Sequence, residues 1–373
     1  NYTILPTGEY RWGNVLTTLL VPQRSLLLGL PLALVVITLW WQAMNAEEKR
    51  ARRLLAGAGC LAGLLPLAHV HSLTVLLATA ACLALLFGRW RAWAAFFGVA
   101  LLLALPQLVW LARGASIQAR NFLAWQVGWD RGQQNPLWFW LLNAGLFLPL
   151  LGLALLLGRR LVPLQTIRFS VPFLLWFLIP NLFRMSPWIW DNVKFLIYWY
   201  LASIPLVALL LARLAGRGWP GRLAAVALAA GLMLSGAIDV WRVVSGAIDY
   251  PIFDRDSLAV ADAIAGATPP QALVLRAPTF NSPVLLSGRR SLLGYPGHIW
   301  SQGVDGGRRE EEIRLMYQAG PTGVGLRARH DVRYVLVGPQ ERSLGPLNEP
   351  FFERSRKLVE HGPYTLYDLH TPP

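Results

Sequence analysis

Asp191, Asn192 and Lys194 crowd into one short segment, RMSPWIWDNVK at 184–194, and offer the chain's most concentrated chemistry. The segment lies between apolar runs and carries two tryptophans. Ionisable groups at the edge of a bilayer cost free energy and tend to be there for a purpose. Arg184 and Lys194 are suited to hold a phosphate or pyrophosphate, with Asn192 beside them. Asp191 can orient those cations or take a proton. An interfacial anchor accounts for the same residues, with the tryptophans at headgroup depth and Lys194 snorkelling.

Three other groups of residues could contribute. His69 and His71, in AHVHS at 68–72, are placed to relay protons or share in a metal site, although their spacing brings no third ligand with it. Hydrogen-bonded imidazoles at the mouth of a bundle are the simpler reading. The loop 113–136 interleaves aromatic and polar residues, including Arg120, Asn121, Trp125, Gln126, Trp129, Asp130 and Arg131. It suits either a surface for a sugar or headgroup, or an amphipathic helix lying in the interface, and the helix is the preferred expectation. Near the start, Glu9, Arg11, Asn14 and Arg24 lie on what reads as another external loop, and Glu9 and Asp130 join Asp191 as candidate catalytic carboxylates. Towards the end, Arg289, Arg290, Tyr295, His298 and Trp300 fall in Gly- and Pro-rich stretches, where ordered loops build binding surfaces. No phosphate loop, nucleophile elbow or dinucleotide fingerprint occurs among them.

The elements that must position these residues are hydrophobic. Eight apolar stretches stand out, at 26–44, 54–68, 72–88, 93–112, 136–158, 171–182, 193–214 and 223–241. Most approach the roughly 20 residues needed to cross a bilayer, and the second and sixth are short. One alternate set of loops carries Lys49, Arg50, Arg52, Arg53, Arg89, Arg91, Arg159, Arg160, Arg168, Arg213, Arg217 and Arg222. The positive-inside rule puts that set in the cytoplasm, and therefore places 113–135, 183–192 and everything after 241 outside.

Composition agrees, with 55% hydrophobic and 14% charged residues. The formal charge of +14 is explained by basic loops flanking apolar spans, so nucleic acid is not expected as a partner. Membrane lipid is. Cys60 and Cys82 lie within apolar stretches, far from any metal-ligand spacing or disulfide framework. The segment 1–25 lacks the pattern of a signal peptide and reads as an extracytoplasmic loop, which implies a further region upstream of it.

The expected design is a polytopic α-helical membrane bundle of about eight spans at 26–242, with a C-terminal extracytoplasmic α/β domain at 250–373. Within that domain the pattern predicts helices at 256–265, 308–318 and 351–357. It predicts strands at 272–275 and 332–337, and a closing hairpin at 358–360 and 364–367.

A multi-span bundle with aromatic external loops, WDNVK at 190–194, FNSPVLLSGRRSLLGYPGHIWSQG at 280–303 and VRYVLVGP at 332–339 resembles bacterial GT-C superfamily membrane glycosyltransferases. The likeness is to their uncharacterised branch related to the protein O-mannosyltransferases. The resemblance implies transfer of a sugar from a polyprenyl-phosphate donor to an unknown extracytoplasmic acceptor, in the bacterial inner membrane. It implies lipid-phosphate binding by Arg184, Lys194 and Asn192. It also implies substrate contacts from His69, His71, Arg289, Arg290, Tyr295, His298 and Trp300. It fixes no cofactor, and a divalent metal is the one candidate. The acidic residue such enzymes carry in their first external loop has no counterpart here, so it belongs upstream, or Asp191, Asp130 or Glu9 replaces it. Two other classes fit the same spans: a transporter or flippase of lipid-linked substrate, and a non-catalytic membrane scaffold.

Overall fold

The computed structural model describes residues 9–112, 123–186, 188–301 and 304–370. They form two compact units that divide between Ile248 and Asp249.

The first unit is helical. After a short π-helix at Val15–Leu20, capped by Asn14, come α1 (Arg24–Met44), α2 (Glu48–Leu64), α3 (Val70–Phe87) and α4 (Trp90–Ala112). They are followed by α5 (Pro136–Ala144), α6 (Phe147–Leu157), α7 (Leu164–Leu182), α8 (Val193–Ala215) and α9 (Trp219–Val244). Each expected apolar stretch is covered by a helix, but fewer than eight can stand as simple spans. Among the described residues five helices are long and apolar enough to cross a membrane, or six if one bent pair counts as one.

The departures have local causes. The stretch 136–158 is broken, its halves meeting at 97°. Gly145 sits at the break with φ +52°, a left-handed conformation that a side chain would strain. Helix α2 begins at Glu48, so its first turns carry Lys49, Arg50, Arg52 and Arg53, and it ends at Leu64 in a short 3-10 turn. Helix α7 likewise starts early, at Leu164, and takes in Arg168 with two internal prolines, Pro172 and Pro180.

Lipid tails are as apolar as leucine, so helices in a bilayer associate through close packing more than through hydrophobic exclusion. Helices α2 and α4 pack in that way. Gly59 and Gly63 are four apart on one face of α2. A Cβ on Gly59 would come within 2.5 Å of Phe96 O, and one on Gly63 within 2.8 Å of Ala100 O. Backbone meets backbone there because both positions lack a side chain.

Hydrogen bonds gather the basic turns at one end of the unit. Arg89 Nη1 donates to Ala43 O and Ala46 O at 2.9 and 2.7 Å, joining the α3–α4 turn to the α1–α2 turn. Gln165 donates to Asn45 Oδ1 at 2.9 Å, and Arg213 Nη1 donates to Arg160 O. The opposite end carries the start of α3, the start of α5 and the α7–α8 connection.

The described part of the loop expected to be an interfacial helix is different. Residues 113–122 lie outside the described residues. From 123 onward the chain forms a two-residue strand β1 (Ala124–Trp125) and turns, with no helix before α5. Strand β1 pairs antiparallel with β2 (Phe183–Arg184). Glycines at 128 and 132 with positive φ favour turns over a helical continuation.

The second unit is α/β. Strands β3 (Val274–Leu275), β4 (Tyr334–Val337), β5 (Arg356–His361) and β6 (Tyr364–Asp368) form one sheet in the order β3-β4-β6-β5. Strands β3 and β4 are parallel and the rest antiparallel, and β5–β6 is the expected closing hairpin. Alternation along β4 buries both of its faces. Tyr334 and Leu336 pack with Val260 and Ile264 of α10 (Arg255–Ala267), and Val335 and Val337 pack with Ile313 and Met316 of α12 (Gly307–Gln318). Between α10 and α12 lies α11 (Pro296–Ser301). Beyond α12 come α13 (Pro321–Arg329), which the sequence pattern did not predict, and the one-turn helices α14 (Pro339–Arg342) and α15 (Glu349–Phe352). The helix expected at 351–357 is therefore shorter and earlier, and strand β5 takes its last residues.

Past the carboxyl ends of the parallel strands, two buried ionisable residues tie loops together. Arg276 donates to Ala277 O and Thr279 O through Nη1 and to Leu293 O through Nη2. Glu341 Oε1 accepts from Ala277 N at 2.8 Å. Burial pushes the Glu341 carboxyl up to about 7, partly countered by backbone donors and Arg276.

Two outcomes follow. Gly59→Val should destabilise the α2–α4 packing by about 1–3 kcal/mol, read as lower resistance of the purified protein to thermal denaturation in detergent. The second concerns pH. Folded Glu341 holds its proton more tightly than the unfolded chain, so its contribution is complete below about 4.5 and lost as pH rises through about 7. Glu341→Gln keeps an acceptor for Ala277 N but cannot ionise. Hydrogen exchange over 334–342 should then be slower in the variant than in the native protein at pH 8, by about 1–3 kcal/mol of opening free energy, and similar at pH 5.

Candidate functional site

At the end of the helical unit away from the basic turns, three stretches of chain distant in sequence meet. The α7–α8 connection is held by Asn192, which is fully buried. Its Nδ2 donates to Pro180 O and Phe183 O, both at 2.8 Å, and its Oδ1 accepts from Met185 N at 3.0 Å. Every polar atom of this side chain is spent on backbone. Asn192 is therefore a brace for the corner, not a group free to bind phosphate as the sequence reading proposed. A buried amide left without these partners would cost about 1–3 kcal/mol per orphaned group.

That brace presents Asp191 and Lys194. Lys194 Nζ lies 2.8 Å from Asp191 Oδ1, and Asp191 Oδ2 accepts from Ser186 Oγ at 2.9 Å. Both side chains are about one-fifth exposed, at 17% for Lys194 and 22% for Asp191. On the same connection, Arg184 Nε is buried without a hydrogen-bond partner.

The two imidazoles belong to this end as well. His69 is the N-cap of α3, and His71 is the second residue of that helix, with ring centroids 5.0 Å apart. His71 packs edge-on against Phe195 of α8, next to Lys194. Asp191 and Lys194 act electrostatically on both rings. Burial first, and then His71 and Lys194, push His69 down to about 3, so it is neutral at pH 7. Two side chains that the sequence pattern did not single out complete the arrangement. Ser72 Oγ lies 2.7 Å from His69 Nδ1 and 2.5 Å from the Tyr198 hydroxyl. Gly29 of α1 makes room for it, since a Cβ there would come within 2.5 Å of His69 Cβ. No group of three His, Cys, Asp or Glu residues that could hold a metal occurs among the described residues.

Aromatic rings join this corner to the N-terminal loop. Arg11 pairs with Asp130, its Nε 2.6 Å from Oδ2, and its guanidinium lies 5.2 Å from the centre of the Trp190 ring. Trp129 is 5.6 Å from Trp190, and Trp12 meets Trp129, Trp140, Trp199 and Tyr200. Asn181 fixes this cluster, accepting from Trp140 Nε1 at 2.7 Å and from Trp129 N at 3.0 Å. Asp130 is therefore an ion-paired carboxylate. Glu9 is exposed and touches the bundle through its backbone, where its carbonyl accepts from Asn143.

Beside the α5–α6 break, a cavity of about 530 Å³ opens between the N-terminal loop, α8 and α9. Trp12, Asn14 and Asn143 line its polar end, and Ile204, Val207, Leu211 and Leu232 its apolar length.

Among the described residues, the candidates in the second unit are not gathered into one constellation. Arg289 spends its guanidinium on Ala265 O, Thr268 O, Thr268 Oγ1 and Ser287 O. It satisfies carbonyls at the end of α10, a structural task that replaces the expected substrate contact. Arg290 is exposed, and its backbone bridges in parallel to Leu273. Tyr295 packs edge-on against Phe280 and His298. The side chain of Trp300 lies outside the described residues. No family model and no curated protein matches this sequence.

Asn192→Leu should lower thermal stability by about 2–4 kcal/mol, because it orphans one buried and two partly buried backbone groups. In a melt followed by tryptophan emission, the loss should be of similar size with and without phosphate-bearing lipid.

Proposed function

We propose that this chain is a membrane glycosyltransferase, or the C-terminal part of one. It moves a sugar from a polyprenyl-phosphate-linked donor to an acceptor on the outer side of a bacterial inner membrane. One observation carries the reading: Lys194, Asp191, His69 and His71 meet at the end of the bundle opposite the basic turns. With the basic end in the cytoplasm, that site and the unit after Ile248 are extracytoplasmic.

Partial burial strengthens the attraction of Lys194 for an anion, and its ion pair with Asp191 holds the ammonium in place until a phosphate competes for it. In this reading the lipid phosphate takes Lys194 and frees a carboxylate oxygen of Asp191. The acceptor hydroxyl attacks the anomeric carbon, its proton passes to Asp191, and the bond from that carbon to the phosphate oxygen breaks with the lipid phosphate leaving. The phosphate's developing charge falls on Lys194 and Arg184.

A flippase is the second reading, favoured by the broken α5–α6 helix beside the cavity, since transporters build their sites at discontinuous helices.

Binding to nanodisc-embedded protein separates these readings. Polyprenyl phosphate should bind well above neutral polyprenol, and Lys194→Ala with Arg184→Ala should weaken that preference by about tenfold or more. Equal weak binding of both lipids to native and variant protein would reduce the corner to an interfacial anchor. Phosphate-dependent binding accompanied by transbilayer movement of the lipid, with no sugar transfer, would select the flippase.

A further inference from the structure

We infer that His69 serves the site as a neutral hydrogen-bond donor through Nε2, aimed at an anionic phosphoryl oxygen, with its tautomer locked by Ser72 and Tyr198. This rests on the reading of the corner as a phosphate site and gives one residue a defined part in it.

The tautomer follows from the helix cap. As N-cap of α3, His69 accepts through Nδ1 from the backbone N–H of Ser72 at 3.3 Å. An amide N–H can only donate, so Nδ1 must offer a lone pair, and a neutral ring then carries its proton on Nε2. The neighbouring hydroxyls can accommodate that tautomer: with Nδ1 accepting, Ser72 Oγ at 2.7 Å donates to it and in turn accepts from the Tyr198 hydroxyl at 2.5 Å. Tyr198 is on α8, one turn beyond Lys194, so the helix that supplies the cation also fixes the imidazole.

The proton-bearing nitrogen is the unusual part. His69 is 4% exposed, yet Nε2 is buried without a hydrogen-bond partner. A buried donor left unmet has lost its water without replacement, a penalty that a bound acceptor would relieve. The groups acting on the ring define that acceptor. Lys194 and Asp191 on the α7–α8 connection and His71 on α3 are its charged and titratable neighbours. With Asp191 already paired to Lys194, an oxygen bearing negative charge fits best, since it gains both the ammonium and the N–H. Phosphate on a lipid and free phosphate share this chemistry. A metal would need the Nε2 lone pair, which this tautomer does not offer.

The test uses ¹⁵N-histidine-labelled protein in nanodiscs, with the His69 signals assigned by their loss in His69→Gln. Nε2 should report as protonated and Nδ1 as bare. The Nε2–H signal should move with polyprenyl phosphate or with inorganic phosphate, and not with polyprenol. A proton on Nδ1, a doubly protonated ring, or silence towards both phosphates overturns the inference. A response to inorganic phosphate alone supports the anion site and removes the lipid as its source. Two variants add an independent arm. His69→Gln keeps an N–H near the Nε2 position, whereas His69→Asn keeps the cap but falls short of it. Asn should weaken phosphate binding by about tenfold and Gln by much less, and the reverse order overturns the assignment. Lys194-dependent lipid binding with a silent His69 sinks this inference and leaves the glycosyltransferase reading standing. A responsive His69 in a protein that transfers no sugar does the opposite.

Discussion

The site depends on one buried amide. Asn192 has no contact with solvent, and its three hydrogen bonds all go to backbone groups where the chain leaves α7 and turns into α8. Backbone polar groups at the edge of a bilayer need partners as surely as those in its middle, because little water reaches a packed corner. By meeting that need with a single side chain, the corner becomes rigid. Asp191 and Lys194, on either side of Asn192, inherit the rigidity. The ion pair then needs little ordering of its own, and Ser186 fixes the second carboxylate oxygen.

The same economy recurs in the aromatic cluster beneath the N-terminal loop. Asn181 holds two tryptophans from different segments through one carbonyl oxygen. Edge-on ring pairs are worth about 0.5–1.5 kcal/mol each beyond their buried area, so the several pairs made by Trp12 anchor a segment that has only a short helix of its own. At the far end, arginines perform the equivalent service by capping turns. The two ends therefore use basic residues differently. Turn arginines at one end bind carbonyls, whereas at the other end Arg11 and Lys194 face carboxylates, an aromatic ring and the imidazole pair, and Arg131 alone keeps to carbonyls among the cations named there.

Much of the helical unit was legible because hydropathy is a long-range signal, and every apolar stretch is covered by a helix. The conformation of those helices was less so. The break at Gly145 depends on a backbone torsion, and an isolated glycine in an apolar run carries no mark of whether it bends or packs. Residues 184–194 and 68–72 stood out because polar side chains at span ends are rare. Their meeting could not be read, because it requires α3 and α8 to be neighbours. Ser72, Tyr198 and Gly29 were missed for the same reason, since each looks like an ordinary span residue until its partner is known. Asn192 and Arg289 were misjudged in the other direction. Both look like binding residues in a string of letters, and both are spent on carbonyls or amides of the chain itself. In the second unit, β4 and the closing hairpin were plain from alternation, while α13 was hidden by the Gly- and Arg-rich sequence that forms it.

The glycines of α2 have a consequence for how the protein is made. Helix α2 opens with four basic residues and spans only seventeen positions, so it is a poor candidate to enter a bilayer by itself. Its place is secured by bare backbone lying against α4, a helix synthesised later. During biogenesis α2 is therefore a passenger. The face it packs on exists only once α4 has been made, so the order of the chain bears on the order of its assembly.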